Sequence, residues 1–206
     1  MRPVRPPAEA WREMRDGNDR FVSGTPLHPR QNVERRHELA GAQAPRAALF
    51  GCSDSRLAAE IIFDQGLGDL FVVRNAGQVI SSSVIGSLEY AVEVLGVPLI
   101  VVLGHDSCGA VRAAIDSQGP DAPTLPPHIR DLIAPIVPAV TRVQAETGAT
   151  DPLIVGREHL RDTVRELLEA SELISLAVAE GRLAIVGANY RLHEGKAVSD
   201  VVVGSI

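Results

Sequence analysis

Leu99-Ile100-Val101-Val102-Leu103 is apolar throughout and rich in β-branched residues. A run that is apolar on both faces needs cover on both sides, which is the situation of a central strand in a parallel sheet. Similar short runs recur at Ala47–Gly51, Leu70–Val73 and Leu183–Gly187, and Val198–Val203 reads as an edge strand. They are separated by helical patterns at spacings too long for hairpins. The sequence therefore predicts an α/β fold with a mostly parallel central sheet of four to five strands flanked by helices. With 206 residues there is enough chain for one domain, read as a helical arm over 1–45 and an α/β core over 46–206.

The helical expectations are specific. A helix from Pro7 to about Phe21 carries Trp11, Met14, Asn18 and Phe21 on one face. Having no core of its own, it must lie on the domain or on a partner subunit, and packing on a partner subunit is the expectation, behind a flexible arm over residues 1–7. Further helices are predicted over 34–42, 57–63, 107–119 and 128–146, the last broken or kinked by Pro135 and Pro138. Ser81 and Ser83 cap another that runs to Leu95, with Val84, Leu88, Ala91 and Leu95 on one stripe and Gly96 as its end. Asp151-Pro152 opens a long helical region reaching Glu180.

Composition narrows the function classes. The net charge is −6 and no basic block exceeds Arg35-Arg36, which speaks against a nucleic-acid surface. The first residues are polar and proline-rich, without the apolar stretch of a secretion signal. The longest apolar run is far too short to span a bilayer, so no membrane association is expected and the expected compartment is the cytoplasm. In that compartment two cysteines are metal ligands or free thiols rather than a disulfide.

Those two cysteines sit where strands run out. Cys52-Ser53-Asp54-Ser55-Arg56 follows the first predicted strand, and Gly104-His105-Asp106-Ser107-Cys108-Gly109 follows the strongest one. In open α/β sheets the chemistry collects at such strand ends. Cys52, His105 and Cys108 form a Cys2His set suited to zinc, with a fourth position open for catalysis unless Asp54 closes it. Cys108 at a helix N-terminus has a lowered thiol pKa. Zinc with two thiolates and a neutral imidazole carries no net formal charge, so it acidifies water less than zinc beside three histidines. Arg56 can hold Asp54 as a hydrogen-bond acceptor next to the metal.

The set Cys-x-Asp-x-Arg followed by His-x-x-Cys-Gly resembles the β-class carbonic anhydrases. The resemblance runs from about Trp11 to Tyr190. It includes Gln43-x-Pro45, Phe71-Val72-Val73-Arg74-Asn75-Ala76-Gly77, Glu89-Tyr90-Ala91 and Gly104-His105-x-x-Cys108-Gly109-Ala110. It implies that Cys52, His105 and Cys108 bind one Zn2+ per subunit and that Asp54 and Arg56 form the catalytic dyad. It also implies that Asp54 is a fourth zinc ligand in a closed state. Gln43 and Gly109 would bind bicarbonate, while Tyr90 and Val79 would lie at the substrate pocket. The implied reaction is reversible hydration of carbon dioxide to bicarbonate and a proton, in a homodimer or homotetramer. The alternatives are hydrolysis of carbon disulfide or carbonyl sulfide at a similar zinc, or a non-catalytic zinc-binding paralogue. Members with a regulatory bicarbonate site carry a tryptophan where this chain has Leu49, so Arg74 is assigned a structural or interface role. His28, His37, His128, His159 and His193 lie outside the motifs and are read as surface or satisfied histidines.

Overall fold

The computed structural model describes residues 5–206. The first four residues of the expected flexible arm lie outside that range. Five strands, β1 (Ala47–Cys52), β2 (Leu70–Asn75), β3 (Leu99–His105), β4 (Ala184–Arg191) and β5 (Lys196–Val203), form one sheet in the order β2-β1-β3-β4-β5. The first four are parallel, and β5 runs antiparallel to β4 along the edge. β3 is buried along its whole length, as an all-apolar central strand should be.

Side chains alternate along β3, so the strand feeds two cores. Leu99, Val101 and Leu103 join Leu49, Val111, Ile136 and Val140 on one face. Ile100 and Val102 join Phe50, Leu88, Leu160 and Ile174 on the other. From β1 the chain steps first to β2 on one side and then to β3 on the other. The carboxyl ends of β1 and β3 thus flank the point where the strand order reverses, which is where such sheets open a crevice.

The helices are α1 (Pro7–Val22), α2 (Val33–Glu38), α3 (Ala59–Ile62), α4 (Ser82–Glu89), α5 (Gly109–Asp116), α6 (Pro127–Ile133), α7 (Val137–Thr147), α8 (Pro152–Ala170) and α9 (Glu172–Ala179). The break expected from Pro135 and Pro138 is a short 3-10 turn, Ala134–Ile136, between α6 and α7. Three expectations are corrected. α4 does not continue as α-helix to Leu95: it passes at Tyr90–Val94 into a wider π turn that ends at Gly96, where φ is +68°. The long helix after Asp151 breaks at Ser171. That residue leaves helical geometry, caps Ile174 N–H through Oγ and donates to Glu89 at 2.6 Å. The helix expected over 57–63 is only one turn, because the chain up to Leu57 is committed to the turn around Asp54.

α1 does not wait for a partner subunit. Trp11 and Met14 are buried in the same apolar cluster as Leu49. Asn18 donates to Ile62 O (3.0 Å) and Gly195 O (2.8 Å) and accepts from Ala197 N–H (2.9 Å), tying the helix to α3 and β5. Gly17 permits this approach, since a Cβ there would lie 1.8 Å from Phe63 O. An amphipathic helix buries its apolar stripe on whatever matching surface is nearest, and its own sheet supplies one.

Candidate metal centre

Cys52 is the last residue of β1, His105 the last of β3, and Cys108 the N-cap of α5. Parallel pairing of β1 with β3 brings these three to one rim. All are buried, and their ligand atoms lie within 4.8 Å of one another. His105 Nδ1 is 2.9 Å from the Asp106 carbonyl, which can only accept. The proton is therefore on Nδ1, and the Nε2 lone pair faces the two sulfurs. That Nε2 is buried with no partner among the described residues. An orphaned imidazole nitrogen aimed at two thiols is what a zinc site needs, and the donor set fits the ion.

One of the two thiols is prepared for deprotonation. Cys52 is lowered to about 4, first by the hydrogen bond from Cys108 and, against the cost of burial, by His105 and the backbone N–H groups of Gly77 and Asp54. Gly77 N–H donates to Cys52 Sγ at 3.3 Å. Cys108, expected from its place at a helix N-terminus to be lowered, is instead raised, because its proton serves the Cys52 thiolate and because it is buried; Val111 and Ala110 N–H at the start of α5 act in the expected sense but are outweighed. The pair therefore holds one proton between two sulfurs, and a cation displaces that proton when it binds.

Asp54 and Arg56 stand beside this group in a tight turn. Arg56 Nε donates to Asp54 Oδ1 (2.9 Å), and a terminal guanidinium nitrogen donates to Oδ2 (2.6 Å) and to Ser107 O (3.2 Å). The Arg56 backbone N–H adds a bond to Oδ1 at 2.9 Å. These contacts, the guanidinium first, hold the Asp54 carboxyl well below the usual carboxylate range. Both Asp54 oxygens are thus engaged by Arg56. Arg74 fixes the turn from behind, donating to Cys52 O (2.9 Å) and Asp54 O (2.6 Å). This gives Arg74 the structural role expected of it.

The remaining predicted residues divide. Val79 is buried in the apolar cluster that includes both cysteines. Gly109 is the exposed first residue of α5, next to Cys108. Gln43 is exposed in the loop before β1, so five strand steps, about 16 Å, separate its end of the sheet from Cys52. Tyr90 is also remote. It is 45% exposed and sits over Phe71 (6.2 Å between rings), near the start of β2, whereas the end of β2 meets Cys52. Its expected place near the pocket is not found within this chain. The tyrosine that does reach the rim is Tyr190. It is paired in register with His105, and with His105, Asp106, Arg157 and Asn189 it lines a cavity of about 430 Å³. Its only sequence signal was its position shortly after the fourth apolar run.

Residues 47–197 match the family described as carbonic anhydrase. Carbonic anhydrase 2 of Mycobacterium tuberculosis is 51% identical over 201 residues, covering 97% of this chain and 96% of that protein. A carbonic anhydrase of Mycolicibacterium smegmatis is 49% identical, covering 92% and 91%. Among solved structures, a tetrameric β-carbonic anhydrase of Sordaria macrospora superposes with a TM-score of 0.75 at 24% identity, covering 95% of this chain and all of that one. A Coccomyxa β-carbonic anhydrase in complex with acetazolamide gives 0.72 at 23% identity, covering 100% and 90%. At these identities the two structures speak for the fold.

Proposed function

This chain belongs to the β-class carbonic anhydrase family, and on that footing we propose that it catalyses the reversible hydration of carbon dioxide to bicarbonate and a proton. Cys52, His105 and Cys108 would hold one Zn2+ per subunit. The observation that carries the reading is the convergence of these three buried ligands, with His105 Nε2 unpartnered, beside an Asp54 whose oxygens are both occupied by Arg56. Three protein ligands would leave zinc a coordination position for water or substrate, as catalytic zinc requires.

Bound there, zinc supplies a Lewis acid that lowers the pKa of water toward neutrality. Asp54, kept ionised by Arg56, is an acceptor only, and it orients the attacking water by taking a hydrogen bond from it. Val79 gives carbon dioxide an apolar wall, and the Gly109 N–H in the first turn of α5 donates to the product. Were it released from Arg56, the same Asp54 carboxylate would be free to hold zinc as a fourth ligand, which would close the site. Gln43 cannot serve its own chain's metal from the far end of β1, so its hydrogen bond to bicarbonate requires a second copy. That ties the proposal to self-association as a homodimer or homotetramer, in line with the tetrameric state named for the Sordaria protein.

No helix among the described residues is long and apolar enough to cross a membrane, and both cysteines are free, which supports a reducing, cytoplasmic setting. Hydrolysis of carbon disulfide or carbonyl sulfide is not favoured, because the relatives at about half identity are carbonic anhydrases. A non-catalytic paralogue is not favoured either, since all three ligands and the Asp54–Arg56 pair are present. Stopped-flow carbon dioxide hydration, with zinc content measured on the same sample, tests the reading. Turnover at neutral to alkaline pH is expected; zinc-loaded protein without activity overturns it.

A further inference from the structure

The sequence reads His159 as a surface or satisfied histidine; it is buried, with one ring nitrogen satisfied and the other not. It sits in α8, 3% exposed, with Nε2 at 2.7 Å from the Gly77 carbonyl and Nδ1 buried without a partner among the described residues. A carbonyl only accepts, so the ring proton is on Nε2 and is donated to Gly77 O. One turn along the same helix, Thr163 Oγ1 donates to His159 O at 2.9 Å and lies 3.4 Å from Gln78 O. α8 therefore holds the segment after β2 through His159, with Thr163 packed beside the next carbonyl.

That segment is a strap over the metal centre. Its ends are closed by Asn75, which donates to Val79 O (2.7 Å) and accepts from Val79 N–H (2.9 Å). Its middle is left-handed at two successive residues, Gly77 (φ +82°) and Gln78 (φ +42°). For Gln78 that conformation is unfavourable and needs outside support. The strap presents Gly77 N–H to Cys52 Sγ at 3.3 Å. Gly77 is thus held at its carbonyl by His159 while its N–H bonds a zinc ligand.

We infer that His159 is a positioning residue for the metal centre: by fixing the Gly77 carbonyl it holds the Gly77 N–H on the Cys52 thiolate. The inference rests on the zinc site proposed above. A hydrogen bond to the sulfur draws charge away from the metal. This matters at a site whose two thiolates already cancel the charge of the ion, because a more electron-poor zinc acidifies water more strongly. Burial lowers the His159 pKa more than the Gly77 bond, Asp162 and Cys52 raise it, and Nε2–H is a donor to Gly77 O in the neutral and the protonated ring alike.

The test compares His159→Gln, whose amide nitrogen can reach the same carbonyl, with His159→Phe, which fills similar space without a donor. Each protein is loaded with cobalt(II), and its sulfur-to-cobalt charge-transfer band is recorded; zinc affinity is measured against a chelator. In His159→Phe the band is expected at lower energy and zinc affinity down by about 10-fold. The pH at half-maximal hydration should rise in the same variant. In His159→Gln all three should return toward the parent values. A parental band in folded His159→Phe overturns the inference, as does a Gln variant as perturbed as the Phe variant. If His159→Phe does not fold, exchange of the Gly77 amide in the parent metalloprotein decides. Strong protection in the parent that is retained in His159→Gln supports the role, and an unprotected Gly77 amide, or protection lost in His159→Gln, refutes it. A parent protein without any sulfur-to-cobalt band would sink the zinc site itself, a failure distinct from a band that His159 does not move.

Discussion

Replacing Arg56 with alanine should uncouple chemistry from metal binding. The guanidinium makes three side-chain hydrogen bonds, two to Asp54 and one to Ser107 O, and alanine removes them all. Asp54 then keeps only the backbone N–H of residue 56. Its pKa returns toward the ordinary value of ~3.9, so the carboxylate is still ionised at neutral pH. The loss is therefore one of orientation, not of charge on Asp54. A positioned acid–base group contributes about 10²–10⁴-fold, and hydration turnover in Arg56→Ala should fall within that range. None of the three zinc ligands is touched, so metal content by elemental analysis should stay at one per subunit. Arg56→Lys sharpens the test. Lysine keeps the positive charge but cannot present a planar fork to both carboxylate oxygens while also reaching Ser107 O. It should recover part of the turnover, less than the parent and more than alanine. The assay is stopped-flow carbon dioxide hydration across pH, on samples of known zinc content. Zinc-loaded Arg56→Ala with parental turnover would remove the pair from the mechanism, and full rescue by lysine would show that charge alone matters.

Four further outcomes are expected. Cys108→Ser should lose zinc on dialysis against a chelator, and full occupancy in that variant would contradict the ligand assignment. Activity should fall as pH drops below about 7, whether by protonation of the water or by Asp54 binding the metal, and a flat profile from acid to base would contradict both. Asp64→Asn should lower stability by about 1–3 kcal/mol at neutral pH. Burial raises the Asp64 pKa, but bonds from Leu27 N–H, Arg20 and His28 N–H outweigh it, so its folded pKa lies below the unfolded ~3.9. Its contribution is present above that unfolded value and is lost as pH falls through the folded one. Chemical unfolding should accordingly show the mutant's deficit shrinking in acid, and a constant deficit would refute the ion-pair account. Gly17→Ala drives a methyl against Phe63 O and should cost about 1–3 kcal/mol by thermal unfolding, unless α1 does not dock as described.

The sequence by itself determined the sheet and the ligands. A strand buried on both faces must be apolar at every position, so β3 is legible as Leu99–Leu103, and with it the parallel α/β class. Cys52, His105 and Cys108 are legible because metal chemistry demands particular residue types, and because strand ends in such sheets share one rim. What α1 packs on was decided only in three dimensions. Its amphipathic stripe says that Trp11 and Met14 are buried, not against what, and the contact of Gly17 with Phe63 depends on residues far apart in sequence. Tyr90 and Tyr190 make the same point. A residue near a motif along the chain can lie at the wrong end of a strand, while one paired across the sheet lies beside His105. The Arg56–Ser107 bond, the Arg74 clamp on Cys52 O and the hold of His159 on Gly77 all join side chains to backbone groups of distant segments. Backbone N–H and C=O groups are the same at every residue, so no pattern in the sequence marks which of them will be met; only the folded chain does.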